Sequence, residues 1–382
     1  MAMRFGIVLG GARSLLHRVT LTSALLLGGA CGSPAAAPAG ATLVAVDSVV
    51  LQESESLYVA RPGGLTVGAD GQLLVSDQIA NRLIRFGPDG TPRMTYGAPG
   101  SGPGEFRSIG EAVVAWDDSI AIPDYHSRHI SLFRGSTGAY LGERRFVGKL
   151  TSGSAAGGTV WLGLLDQSAG KSIAIWHPDT ASAGSDPVLH ATAVAIPDAY
   201  LQVPALNGIY GLVQLAAWGD SALVGFGGSD FVLAVAGNGV VADTTVIPAV
   251  RRRGTPPDLL RRLEDPKTSF ADQFSAASGL MGLWRLPDGV FVAEHFDAQI
   301  DHRSITGRVF ISLLTADRTR ACVDAEVPVE QDGAPWVALH GDTLFVLNQI
   351  VGDGEQPSLR TVIRKYRIDT TSCSWILIRR AE

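Results

Sequence analysis

Three observations in the 382-residue sequence predict an all-β fold, a six-bladed β-propeller built from four-stranded antiparallel blades. A twenty-residue segment repeats 47 positions further on without a gap. A turn residue followed by alternating apolar positions returns six times along the chain. The composition, with 45 glycines and only 18% charged residues, suits many short buried strands joined by tight turns.

The repeat is clearest when "VGADGQLLVSDQIANRLIRF" (Val67 to Phe86) is laid over "VAWDDSIAIPDYHSRHISLF" (Val114 to Phe133). Val67 matches Val114, Asp70 matches Asp117, Leu73 and Val75 match Ile120 and Ile122, Asp77 matches Asp124, and Phe86 matches Phe133. The shorter pattern recurs as "GGTVWL" at Gly157, "WGDSALV" at Trp218, "LPDGVFV" at Leu286 and "LHGDTLFV" at Leu339. Equivalent turn positions are Gly71, Asp118, Gly158, Asp220, Asp288 and Asp342, which define six units at spacings of 47, 40, 62, 68 and 54 residues.

Within the first unit, "GLTVGAD", "GQLLVSD", "NRLIRFG" and "PRMTYG" read as four strands, with turns at "ADG" and "GPDG". Such small sheets cannot shield both faces alone, so each blade must cover its neighbour and the ring must close. The segment "TLVAVDSVVL" (Thr42 to Leu51) is an extra strand, expected to pair with the last blade and latch the circle. The glycine- and proline-rich "YGAPGSGPGEF" (Tyr96 to Phe106) then carries the chain from the outer strand of one blade to the inner strand of the next. A phosphate-binding loop would need a lysine and a following helix, and this stretch has neither.

The amino terminus is expected to lie outside the fold. Arg4, Arg13, His17 and Arg18 precede the apolar run Val19 to Ala30, too short for a permanent membrane span and suited to an export signal over residues 1–30. Gly28, Gly29 and Ala30 before Cys31 resemble the lipobox of bacterial lipoproteins, which implies a lipid on Cys31; Gly28 departs from the usual leucine, which stands at Leu27. Cleavage further on, within "SPAAAPAGA", is the alternative, and both routes export the protein. Residues 31–40 then serve as a Pro- and Ala-rich tether, and 41–382 form the propeller. Cys322 and Cys373 remain, either bonded to each other or separately buried.

The segment Leu65 to Phe106, with "DGQLLVSD", "NRLIRF" and "GSGPGEF", resembles an NHL repeat and the six-bladed propeller lipoproteins of bacteria. The match is strongest over Ala41 to Phe146; later blades keep the strand pattern and lose the "GPGEF" loop.

Net charge of −6 provides no positive field for a nucleic-acid backbone, so nucleic acid is excluded as a partner. In a propeller, ligands sit at one mouth of the central channel. Polar candidates there are Glu105 and Arg107 after the glycine loop, Asp77 and Asp124 at the ends of second strands, Glu294 and His295 in "VAEHFD", and Asn348. For Asp77 and Asp124, capping of the following turn is the favoured role. His126 and His129, and His295 and His302, lack the spacing of a zinc motif. The segment "HPDTASAGSDPVLHATAVAIPDAYLQVPALNGIY" reads as a long loop between the third and fourth units. Around 251–274 an inserted short helix, "DLLRRLED", is stopped before Pro266, and Arg251, Arg252, Arg253, Arg261 and Arg262 fall within twelve residues as a candidate contact for an anionic ligand or partner.

The resulting expectation is an exported, membrane-anchored monomer that binds or scaffolds a protein or small ligand, without a catalytic residue or cofactor. The alternative is a metal-dependent hydrolase or lyase of the lactonase type, with a divalent cation in the channel.

Overall fold

The computed structural model describes residues 38–111, 113–178, 188–301, 304–330, 335–351 and 359–380. The expected export signal (1–30), Cys31 and His302 lie outside these residues.

The described chain enters through β1 (Thr42–Val50). Blade one comprises β2 (Pro62–Val67), β3 (Leu73–Asp77), β4 (Arg82–Phe86) and β5 (Pro92–Tyr96), and blade two β6 (Val114–Trp116), β7 (Ser119–Asp124), β8 (His129–Arg134) and β9 (Tyr140–Arg145). Blade three runs β10 (Lys149–Ala156), β11 (Thr159–Asp166), β12 (Lys171–Trp176) and β13 (Ala193–Ala195). After α1 (Asp198–Gln202) and α2 (Pro204–Tyr210), blade four adds β14 (Val213–Trp218), β15 (Ser221–Phe226), β16 (Phe231–Val235) and β17 (Val241–Val246). Then α3 (Leu259–Glu264) and α4 (Phe270–Phe274) precede blade five: β18 (Gly279–Arg285), β19 (Phe291–Asp301), β20 (Ser304–Leu314) and β21 (Arg320–Val327). Blade six is β22 (Trp336–His340), β23 (Thr343–Val351) and β24 (Leu359–Asp369), while β25 (Ile376–Leu377) adds a fifth strand to blade five.

Each blade is a consecutive antiparallel meander, and β1 completes the sixth by pairing with β24, from Thr42 opposite Asp369 to Val50 opposite Val362. The ring therefore closes through the first strand of the described chain, as the sequence predicts. Cohesion comes from between the blades. Six apolar clusters are found among the described residues, and each joins two neighbouring blades. One of them spans the closure, with Val75 and Phe86 of blade one packed with Phe345 and Ile363 of blade six. Sheet faces that would be wet in an isolated meander are buried by the circle itself.

The inter-blade loop Tyr96 to Phe106 takes its path from two tight contacts. A Cβ at Gly97 would lie 2.1 Å from Phe106 Cε2, and Phe106 is fully buried against Phe133. Glu105 folds back to accept from the amides of Ser101 and Gly102, at 2.9 and 2.8 Å. It is a turn residue, away from the axis.

The stretch read as a long loop between units three and four holds more order than expected. It supplies β13 and the helices α1 and α2, the second starting at Pro204, where a missing N–H costs nothing. Three residues of strand and helices of five and seven residues are too short for a periodic signal. Cys322 and Cys373 form a disulfide, their Cα atoms 5.7 Å apart, which ties the carboxyl-terminal segment to β21.

Second strands run toward the end of the ring at which each new blade begins. That end therefore carries the inter-blade loops, the insertions holding α1 to α4, and the long hairpins of blades five and six, whose strands reach 9 to 11 residues.

Candidate functional site: the axial cavity

The six innermost strands, β2, β6, β10, β14, β18 and β22, contact one another in sequence around the axis, and β22 returns to β2. They enclose a cavity of about 200 Å³ to which all six blades contribute. One-residue bulges in three of these strands, at Pro62/Gly64, Leu150/Ser152 and Leu280/Gly282, re-aim the side chains at the cavity rim. Hydroxyls stitch the wall: Thr151 Oγ1 accepts from the Val213 amide and donates to its carbonyl, each at 2.9 Å, so blade three is fastened to blade four.

Glu294 is the central feature. It lies on β19 opposite Gly282 of β18. Because Gly282 has no side chain, the carboxyl passes over it toward the axis; a Cβ there would come 2.7 Å from Glu294 Oε2 and 2.2 Å from Trp284 Cη2. Glu294 and the Trp284 ring thus share the space above one glycine. Glu294 is 4% exposed and has no hydrogen bond or ion pair among the described residues. Burial alone pushes its carboxyl up to about 8. Glu111, in the loop before β6, lines the same cavity. It is exposed at the cavity, and the protein packed around it pushes its carboxyl up to about 7 against the pull of Lys149. Trp336, from blade six, is held in place by an Nε1–H donated to Pro62 O at 3.0 Å, across the ring closure.

The other predicted polar residues go elsewhere. Asp77 accepts from the amides of Ile79 and Ala80 in its own turn and from Ala60 and Arg61 in the strand-entry loop. Asp124 does the same for His126, Ser127 and Arg107. Burial acts to raise the Asp124 carboxyl, but the amides of Arg107, Ser127 and His126 outweigh it and hold the group below the usual range. Asn348 accepts from Glu330 N at 3.2 Å. These residues pin the starts of blades one, two and six to their second strands, a wider role than capping one turn. Arg107 donates to Ser101 Oγ and lies 3.2 Å from His126 Nε2 near the surface, and His129 is 3.9 Å from Glu143.

His295 takes the same register place as Asp77: His295 pairs with Leu280 before the bulge as Asp77 pairs with Pro62. It is fully buried with neither ring nitrogen bonded, and burial together with the Arg252 charge keeps it neutral, well below the usual histidine range. Glu294 and His295 are adjacent, so strand alternation sends one toward the axis and the other into the blade. Among the described residues no three His, Cys, Asp or Glu side chains are grouped as a metal site requires.

The five arginines do not form one patch. Arg252 is a buried clamp: its Nε donates to Asp324 Oδ1 at 3.1 Å, its Nη1 to Asp230, and its Nη2 to Ile247 O at 2.8 Å. It joins the loop after β15 to blade five and has no surface left for a ligand, which corrects its place in the expected contact cluster. Arg253 donates to the carbonyls of Ser275 and Ala298, and Arg251 to Pro38 O. Arg261 and Arg262, on α3, are exposed and both paired to Asp258. Tyr210 fixes the insertion to the ring, accepting from Ala277 N and donating to the carbonyls of Gln273 and Phe274, all at 3.0 Å.

Fold and cavity together define a six-bladed β-propeller with an acidic, tryptophan-bearing axial site. Two solved structures share the fold. One is a member of the DUF4221 family from Bacteroides vulgatus ATCC 8482, 10% identical, covering 86% of this chain and 99% of that one with a TM-score of 0.57. The other is a protein from Bacteroides fragilis NCTC 9343 named as exported, 11% identical, covering 86% and 95% with a TM-score of 0.55. No family model and no curated protein matches the chain.

Proposed function

We propose that this chain is an exported, lipid-anchored β-propeller that acts as a non-catalytic binding module and takes a small ligand in its axial cavity. The observation that carries the reading is Glu294: a carboxyl buried in a cavity walled by six blades, without a partner among the described residues. Unpartnered buried polar groups are destabilising, and a bound ligand relieves that cost. The cavity volume of about 200 Å³ lies below the roughly 300–1,000 Å³ of drug-sized sites, so the ligand is small. Export and anchoring are supported by the apolar run ending at Cys31, and export alone by the Bacteroides fragilis protein of similar fold that is named as exported. The lactonase-type alternative needs several ligands around one ion, and the described residues supply no such group.

Fractionation tests the anchor. The full-length chain is expected in the membrane fraction and labelled by a palmitate analogue, and Cys31→Ser is expected to abolish the label and release the protein. An unlabelled, soluble wild-type protein would refute anchoring. Stoichiometric metal in the purified protein, lost together with a hydrolytic activity on chelation, would instead favour the enzyme.

A further inference from the structure

Resting on the axial site as the binding site, we propose that its ligand is a small organic cation, an alkylammonium or quaternary ammonium group seated between Glu294, Glu111 and the rings of Trp284 and Trp336. The described lining residues include two carboxyls and no lysine, arginine or histidine. An anionic ligand would find no cationic side chain in that lining to receive it. Trp284 stands beside Glu294 over Gly282, so an aromatic ring and a carboxyl are offered to the same small volume. A cation placed there gains both a charge-assisted contact and attraction to the ring, each strengthened where water is excluded. Divalent metals are served less well, because they demand six or more oxygen ligands or several tightly grouped ones.

Proton balance follows from the same geometry. Burial favours the protonated form of Glu294 at neutral pH. Entry of the cation favours the carboxylate, and the proton leaves to buffer, so each cation bound releases one proton from this position. Glu111 is the second titratable group on the described wall, with Lys149 of β10 as its charged neighbour, and the Arg252 charge acts on His295 rather than on Glu294.

The test is calorimetry and tryptophan fluorescence on the full-length protein in detergent, with tetramethylammonium and propylammonium as probes and glucose, acetate and Ca²⁺ as comparators. Expected are saturable binding of a cation probe, a fluorescence change, proton release on comparing two buffers, and affinity rising up to about tenfold per pH unit below 8. Glu294→Gln is expected to cut proton release to the part that Glu111 supplies and to weaken binding at least tenfold, while Trp284→Phe keeps proton release and weakens binding less. Binding of glucose or acetate that depends on Glu294 would overturn the cation assignment and leave the binding site standing. Ca²⁺ binding with matching dependence would overturn it in favour of a metal. Binding of no probe with Glu294→Gln folded as wild type would overturn it outright.

Discussion

Blade five buries two carboxylic acids in opposite circumstances. Asp324 on β21 is fully enclosed and accepts from the amides of Val250, Arg251 and Arg252, from the Arg252 guanidinium and from Ser312 Oγ. It adopts a left-handed backbone, φ +55°, a conformation aspartate tolerates better than most residues. Glu294 on β19 is almost as buried and has none of these partners. Burial of a charge is tolerable when every lone pair is satisfied, and where none is, the group keeps its proton and remains available. The first arrangement holds blades four and five together; the second leaves a place for something to bind.

The contrast is broken most severely at the satisfied acid. Asp324→Ala strands the buried Arg252 charge and several amides, and should cost about 3–5 kcal/mol in urea unfolding. A loss below about 1 kcal/mol would mean that the clamp adds little. Glu294→Gln probes the other acid. Its folded-state value, about 8, lies above the ordinary 4.5, so its contribution is fully present below 4.5 and is lost as pH rises through 8. Relative to the variant, wild type should therefore lose up to about 1.4 kcal/mol more per pH unit across that window. Equal slopes in the two proteins would show that Glu294 is solvated after all. The smallest change is expected outside both sites: Arg261→Ser with Arg262→Ser, exposed and paired with Asp258, should alter stability by less than about 0.5 kcal/mol.

The ring itself was readable in the sequence because its signals are local. Gly71, Asp118, Gly158, Asp220, Asp288 and Asp342 all fall in the hairpin between the first and second strands of a blade, and the strand of Thr42 to Val50 closes the circle. The site was readable only in part. Glu294 stood out as a charged residue inside an apolar strand, but the cavity wall gathers Gly64, Glu111, Ser152, Gln214 and Trp336 from positions far apart in the chain. Only closure brings them together. Bulges such as Leu280/Gly282 shift which residue faces inward, and strict alternation does not reveal them. Of the arginine run only Arg252 departs from the expected surface: it serves the interior, while Arg251, Arg253, Arg261 and Arg262 are exposed.

The disulfide has a mechanical side. Ala39, just before β1, donates to Ser374 Oγ and accepts from Ser374 N, at 3.2 and 2.9 Å. Cys373 is the next residue, bonded to Cys322 within β21. A pull on the chain at Pro38 thus loads this short bracket before it reaches β1, and the covalent link passes the strain into blade five, sparing the seam that closes the circle.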